Sequence, residues 1–269
     1  MRKSWMMAMV ALWAFCSAPA VNAQDWAKAA LEKSPRHGEW VELKNGDRKL
    51  KAFVVFPEVS KKATAVVVIH EIFGLSDWVR LMADDLAAAG YVAIAPDLLS
   101  GTAPGGGGTD EFKGGDAVRK AIMTLPPEQI TADLKACVDH VAGLPAANGK
   151  VAVAGFCWGG TQAFLFAANS DKLKASFPFY GSAPTDVKVL ERIQCPVHGF
   201  YGGNDNRVNA TLEKTSEQMK SAGKRFDPVL YDQAGHGFMR AGQAPDASEP
   251  NRKGRREALE RLVKLLGGL

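Results

Sequence analysis

The chain is poor in cysteine, nearly balanced in charge and without a long apolar run, and each shortage removes a class of function. Four cysteines are spread over 269 residues, too few to scaffold a domain of this size with disulfides. No two of them form a Cys-x-x-Cys pair, which argues against dithiol redox chemistry. The formal net charge is +4, so nothing in the balance points to nucleic acid or a membrane surface. The longest N-terminal apolar run, Trp5 to Phe15, is too short to span a bilayer. No metal motif is complete: His70-Glu71-Ile72-Phe73-Gly74 opens like His-Glu-x-x-His but has Gly74 where the second histidine belongs. The glycine run Gly105–Gly108 lacks the Lys-Ser/Thr continuation of a phosphate loop. Neither a metal nor another cofactor is expected.

What is present begins with an address. Arg2 and Lys3, the apolar run and the small residues Val21-Asn22-Ala23 have the layout of a secretory signal peptide. Residues 1–23 are therefore expected to be removed, and residues 24–269 to form a single domain in an exported, periplasmic and monomeric protein with no membrane attachment. The cut leaves a net charge of +2 and three cysteines, Cys137, Cys157 and Cys195. An odd count leaves at least one thiol unpaired. Cys137 and Cys195 lie in apolar patterns where cysteine acts as a small hydrophobe, so a bridge between them is disfavoured. Cys157 does not fit that description.

The apolar pattern predicts an α/β domain. Trp40–Lys44 and Leu50–Phe56 alternate as two strands of an antiparallel hairpin around Asn45-Gly46-Asp47. Ala65–Ile69 is a continuous apolar run, as expected of a strand covered on both faces. A helix over Asp77–Ala89 and a strand over Tyr91–Ala95 follow, which makes a β-α-β unit and a parallel sheet. Pro96 to Pro127 reads as a surface loop. Further helices are expected near 128–142, 158–168, 211–222 and 255–266, and further strands near 151–154, 175–179, 196–201 and 226–231. The fold class is α/β, a doubly wound, mostly parallel sheet with an N-terminal antiparallel hairpin.

Gly155-Phe156-Cys157-Trp158-Gly159-Gly160 lies between a predicted strand and a predicted helix. This is the Gly-x-nucleophile-x-Gly elbow, with cysteine at the reactive position. A sharp strand-to-helix turn leaves no room for side chains two residues either side, hence the glycines. The helix that follows aims free N–H groups at the sulfur, which favours thiolate and offers the Trp158 amide to an oxyanion. Asp205, after the strand at 196–201, and His236, after the strand at 226–231, come in the nucleophile–acid–base order of the α/β-hydrolase fold. In this reading His236 takes the proton of Cys157 and Asp205 orients the imidazole.

The residues also resemble the dienelactone hydrolase (carboxymethylenebutenolidase) family. The likeness rests on His70–Gly74, Ala95-Pro96-Asp97-Leu98, Gly155–Gly160, Gly202–Asp205 and Gly235–Phe238, in that order along the chain. It implies a small ester or lactone substrate opened through a thioester. It also implies that Glu71 contacts the thiol and relays its proton, and that the Ile72 amide joins that of Trp158 in the oxyanion hole. Arg240 matches one of two arginines that hold a substrate carboxylate in the family; Gly101 stands where the other is expected. Phe73, Trp158, Tyr180 and Phe238 are candidates for an apolar wall around the substrate. Two other readings stay open: an exported binding protein that keeps the hydrolase fold without catalysis, and a thiol-redox protein. Asn209-Ala210-Thr211 matches a glycosylation sequon, a pattern that also arises by chance.

Overall fold

The computed structural model describes residues 24–269; the expected signal peptide lies outside the described residues. Among them eight strands make one sheet: β1 (Gly38–Asn45), β2 (Arg48–Val55), β3 (Ala63–Ile69), β4 (Val92–Pro96), β5 (Ala147–Phe156), β6 (Leu173–Phe179), β7 (Val197–Gly202) and β8 (Phe226–Tyr231). The helices are α1 (Asp25–Glu32), α2 (Asp77–Ala88), α3 (Gly115–Met123), α4 (Pro127–Gly143), α5 (Trp158–Asn169), α6 (Val187–Glu191), α7 (Asn206–Asn209), α8 (Leu212–Ser221), α9 (Phe238–Ala241) and α10 (Glu249–Gly267).

The sheet order is β1-β2-β4-β3-β5-β6-β7-β8. β1 and β2 form the expected hairpin, turning at Gly46 with φ 60°, and β2 runs antiparallel to β4. From β3 to β8 all pairings are parallel. The chain steps from β3 outward to β4, then crosses back over β3 to β5 and continues toward the other edge. The winding therefore reverses between β3 and β5. A doubly wound sheet opens a ligand crevice at the carboxyl ends of the strands that flank such a reversal.

Every residue of β3 is buried, and its side chains alternate between two cores because successive Cβ atoms leave a strand on opposite faces. Val66 and Val68 pack with Trp78 and Met82 of α2 and Leu262 of α10. Val67 and Ile69 pack with Leu134 and Val138 of α4 and Phe164 of α5. The sheet is thus sandwiched between helix layers, as its all-apolar strands require.

Beyond the short helices α7 and α9, which were not expected, four segments depart from the sequence reading. The stretch read as a loop, 96–127, contains α3, whose buried side chains are only Val118 and Ile122; one apolar i,i+4 pair after Gly114-Gly115 is too weak a signal to register. The short loop expected between β6 and β7 holds α6, a five-residue helix capped by the Asp186 carboxylate. α1 lies ahead of the first expected strand and buries Ala27. The last helix starts at Glu249, six residues before expected, and its Arg255 Nη2 donates to Asp85 on α2 at 2.6 Å.

The hairpin is tied to the helix layer by a buried charge. Asp133 on α4 is fully buried and accepts from Asn45 Nδ2 at 2.9 Å and Arg48 Nε at 3.0 Å. Arg48 Nη2 also donates to the Leu98 carbonyl at 2.9 Å. Removing one partner of a buried pair leaves an uncompensated charge. Arg48→Met is expected to cost about 3 kcal/mol in urea unfolding, with Arg48→Met/Asp133→Leu recovering much of the loss. A single variant as stable as the wild type would show that the pair does not anchor the hairpin.

Candidate active site

At the carboxyl end of β5 the chain turns sharply into α5, and Cys157 occupies the turn with φ 56° and ψ −115°. A side chain rarely tolerates that backbone. The neighbours are glycines for a steric reason: a Cβ at Gly155 would sit 1.9 Å from the Gly159 carbonyl oxygen, one at Gly159 2.4 Å from that of His70, and one at Gly160 2.4 Å from that of Phe179. The Cys157 amide donates to the Phe179 carbonyl at 3.0 Å, which pins the elbow to β6. Cys157 is half-buried, whereas Cys137 and Cys195 are buried, unbridged thiols whose pKa values burial pushes up, that of Cys195 to about 11.

The three residues expected to act together do meet. His236 Nε2 lies 3.1 Å from Cys157 Sγ, and its Nδ1 lies 2.5 Å from Asp205 Oδ2. Since a carboxylate only accepts, Nδ1 carries the proton toward Asp205, and Nε2 faces the thiol. Asp205 is buried and caps α7, its other oxygen accepting from the Val208 amide. The loops that carry the acid and the imidazole are cross-linked: the Asn204 amide donates to the Ala234 carbonyl at 2.9 Å and that of Gly203 to the Tyr231 carbonyl at 2.7 Å. Asn209 braces the same place, its Nδ2 donating to the Gly202 and Gly203 carbonyls at 2.8 and 3.3 Å. That amide, read from sequence as part of a sequon, is committed to the acid loop; its one signal was a position four residues after Asp205.

A second charged pair lies beside the triad. Glu71, two residues past β3, is buried, and its Oε2 accepts from Arg240 Nε at 2.7 Å. The expected contact of Glu71 with the thiol is not the one formed: the thiol's partner is His236, and the glutamate's is the guanidinium. Burial raises the Glu71 pKa, and the Arg240 charge opposes that rise. Arg240 also lies over the Phe73 ring, 5.2 Å from its centroid. Tyr180, with φ 39°, stands edge-on to His236 at 5.1 Å, and its buried hydroxyl has no partner among the described residues. Burial, then the nearby Glu71 and Cys157 charges, hold that phenol protonated.

The remaining expectations divide. The last parallel pair of β3 and β5 is Ile69 with Gly155, and Ile72 and Trp158 each lie three residues beyond it in the chain. Phe73 and Trp158 stay partly exposed, as a substrate wall requires. Phe238 is fully buried between Tyr180 and Tyr231, and Tyr180 is 1% exposed, so their rings are core rather than wall. Gly101 has φ 76°, and a Cβ there would face Arg48 Nη1 at 3.7 Å. That position is a turn against the hairpin. Among the described residues no three His, Cys, Asp or Glu side chains are grouped to hold a metal ion, and no helix is long and apolar enough to cross a membrane.

The His236 pKa is pushed up to about 9, first by its hydrogen bond to Cys157, with Asp205 adding to the rise and burial opposing it. Removing the sulfur removes the largest of these causes. NMR titration of the imidazole is expected to give a value near 9 in the wild type and a clearly lower one in Cys157→Ala. An unchanged value would mean that the thiol and the imidazole are not coupled.

Comparison with known proteins follows the same lines. The dienelactone hydrolase family model matches residues 50–268. A Methylorubrum extorquens protein provisionally named carboxymethylenebutenolidase is 30% identical over 225 residues, 80% of this chain and 76% of its own. A Pseudomonas putida carboxymethylenebutenolidase is 30% identical over 184 residues, 66% of this chain and 76% of its own. A Klebsiella pneumoniae crystal structure, provisionally titled a dienelactone hydrolase, superposes with a TM-score of 0.76 at 24% identity, over 87% of this chain and 99% of that one. With an elbow, a reversal of winding and a family match that spans all but the N-terminal part of the chain, the protein belongs to the dienelactone hydrolase family of hydrolases.

Proposed function

We propose that the protein hydrolyses small esters or lactones with Cys157 as nucleophile, His236 as base and acid, and Asp205 as the group that orients the imidazole. The observation that carries this reading is the continuous hydrogen-bonded line from Asp205 through His236 to Cys157. Below its pKa of about 9 His236 holds a proton on Nε2 beside Cys157 Sγ, and the sulfur attacks the acyl carbon from within that pair. The Ile72 and Trp158 amides, with the N-terminus of α5 behind Trp158, stabilise the oxyanion of the tetrahedral intermediate. Its collapse breaks the carbon–oxygen bond, and His236 gives its proton to the leaving oxygen. In a lactone that oxygen stays tethered to the acyl group. Water, losing a proton to His236, then attacks the thioester; the carbon–sulfur bond breaks and the starting pair of sulfur and protonated imidazole returns. The sum is ester plus water to acid plus alcohol. The reading includes export, with the chain cut after Ala23.

Arg240 engages Glu71 through Nε, which leaves its two terminal nitrogens for an anionic group on the substrate. One guanidinium without a second beside it gives weaker hold on a carboxylate, so neutral esters and lactones belong to the substrate range.

Two outcomes are expected. Wild type turns over a small activated ester and Cys157→Ala does not; if both are equally inert across several esters and lactones, the binding-protein reading takes over. In a Glu71→Gln background, which removes the buried carboxylate, Arg240→Met raises KM for carboxylated lactones roughly tenfold to a hundredfold, the loss of one charged hydrogen bond. Neutral lactones are expected to be little affected. Equal effects on both substrate classes would show that Arg240 does not read charge.

A further inference from the structure

One fully buried titratable side chain has no part in the steps above. His70 follows β3 directly and is 0% exposed. Its Nδ1 lies 2.8 Å from the Glu71 carbonyl oxygen. A carbonyl can only accept, so Nδ1 carries the proton and donates. Burial lowers the His70 pKa and keeps the ring neutral, and its Nε2 is buried without a partner among the described residues. The ring also stacks on the indole of Trp158, with centroids 5.4 Å apart and planes 14° from parallel.

The Glu71 carbonyl and the Ile72 N–H are the two ends of one peptide group. In a planar trans peptide they point in opposite directions, and the described chain has no cis peptide. A donor that grips the oxygen therefore sets where the N–H points. It also polarises the amide, which makes that N–H a better donor. The stack on Trp158 ties the same imidazole to the residue that supplies the second amide. Immediately beyond, a Cβ at Gly159 would meet the His70 carbonyl at 2.4 Å, so the start of α5 rests on the backbone of His70. On the far side the Glu71 side chain is anchored by Arg240.

We propose that His70 is a positioning residue that aims the Ile72 N–H at the substrate's carbonyl oxygen and keeps it in step with the Trp158 amide. The inference rests on the hydrolase reading above. It assigns a role in transition-state stabilisation to a side chain that touches neither substrate nor thiol.

The test separates the two halves of the first chemical step. Attack on an ester builds an oxyanion, whereas alkylation of the same thiol by iodoacetamide is a displacement at a saturated carbon and builds none. Cys157 is the half-buried thiol, and Cys157→Ser serves as the blank. In His70→Leu, kcat for p-nitrophenyl acetate is expected to fall about tenfold to a hundredfold, up to the loss of one oxyanion donor. KM and the alkylation rate are expected to stay near wild type. His70→Asn, whose amide nitrogen falls where Nδ1 was, is expected to regain most of the loss; His70→Gln, which reaches past that point, is not. The Asn–Gln contrast decides the matter even where the leucine variant does not fold. Unchanged turnover in the leucine and glutamine variants, or turnover and alkylation falling together in all three, overturns the role of His70 alone. A wild type that is alkylated at Cys157 yet inert toward every ester overturns the hydrolase reading and this inference with it.

Discussion

The rest of the site depends on the backbone of one residue. At φ 56° and ψ −115°, Cys157 holds a conformation that side chains normally avoid. The conformation persists because the surroundings leave no alternative: three glycines allow β5, β6 and α5 to close on the turn, and the Phe179 carbonyl takes the Cys157 amide. The cost of such a residue is of order 1–3 kcal/mol, and the fold around it supplies that. In return the sulfur is lifted out of the core at the start of a helix, facing an imidazole that arrives from another strand.

Around that point the polar groups form two sets, a line of three and a pair. One is linear, carboxylate to imidazole to thiol, and its central member is pushed up to about 9 by its partners. The other, Glu71 with Arg240, is a buried carboxylate held by a half-buried guanidinium. Tyr180 lies between them, edge-on to the imidazole and with a free hydroxyl. No hydrogen bond joins the two sets among the described residues. The segment that carries Arg240 is itself fastened: Gln243 accepts from Trp78 Nε1 and donates to Asp85, which also receives Arg255.

Much of this was legible in the residues, for identifiable reasons. The strands of the parallel sheet are unbroken apolar runs, and a glycine-flanked elbow between such a run and a helix is a pattern that few ordinary turns need. Asp205 and His236 could be placed because each follows a strand at the same end of the sheet. What escaped was set by tertiary contact. α3 carries too few apolar residues to announce itself. The partner of Glu71 could not be read from spacing, since Arg240 is 169 residues away. Phe238 looks the same in sequence whether it faces substrate or core, and packing against Tyr231 decided for the core. Asn209 and His70 act through backbone carbonyls, which leave no trace in side-chain patterns.

The reversal of winding between β3 and β5 has a consequence for how such a protein can change over time. Glu71, Cys157, Asp205 and His236 hang from the ends of β3, β5, β7 and β8, whereas the hairpin and the 97–126 segment are attached to β2 and β4. Among the described residues no hydrogen bond joins those flanking parts to Cys157, Asp205 or His236; their tie to the site is the Leu75 amide, which donates to Thr109 Oγ1 at 3.1 Å. They can be lengthened, shortened or recoloured in charge while the thiol, ring and carboxylate keep their mutual spacing. Diversity of substrates within one reaction is what such an architecture makes cheap.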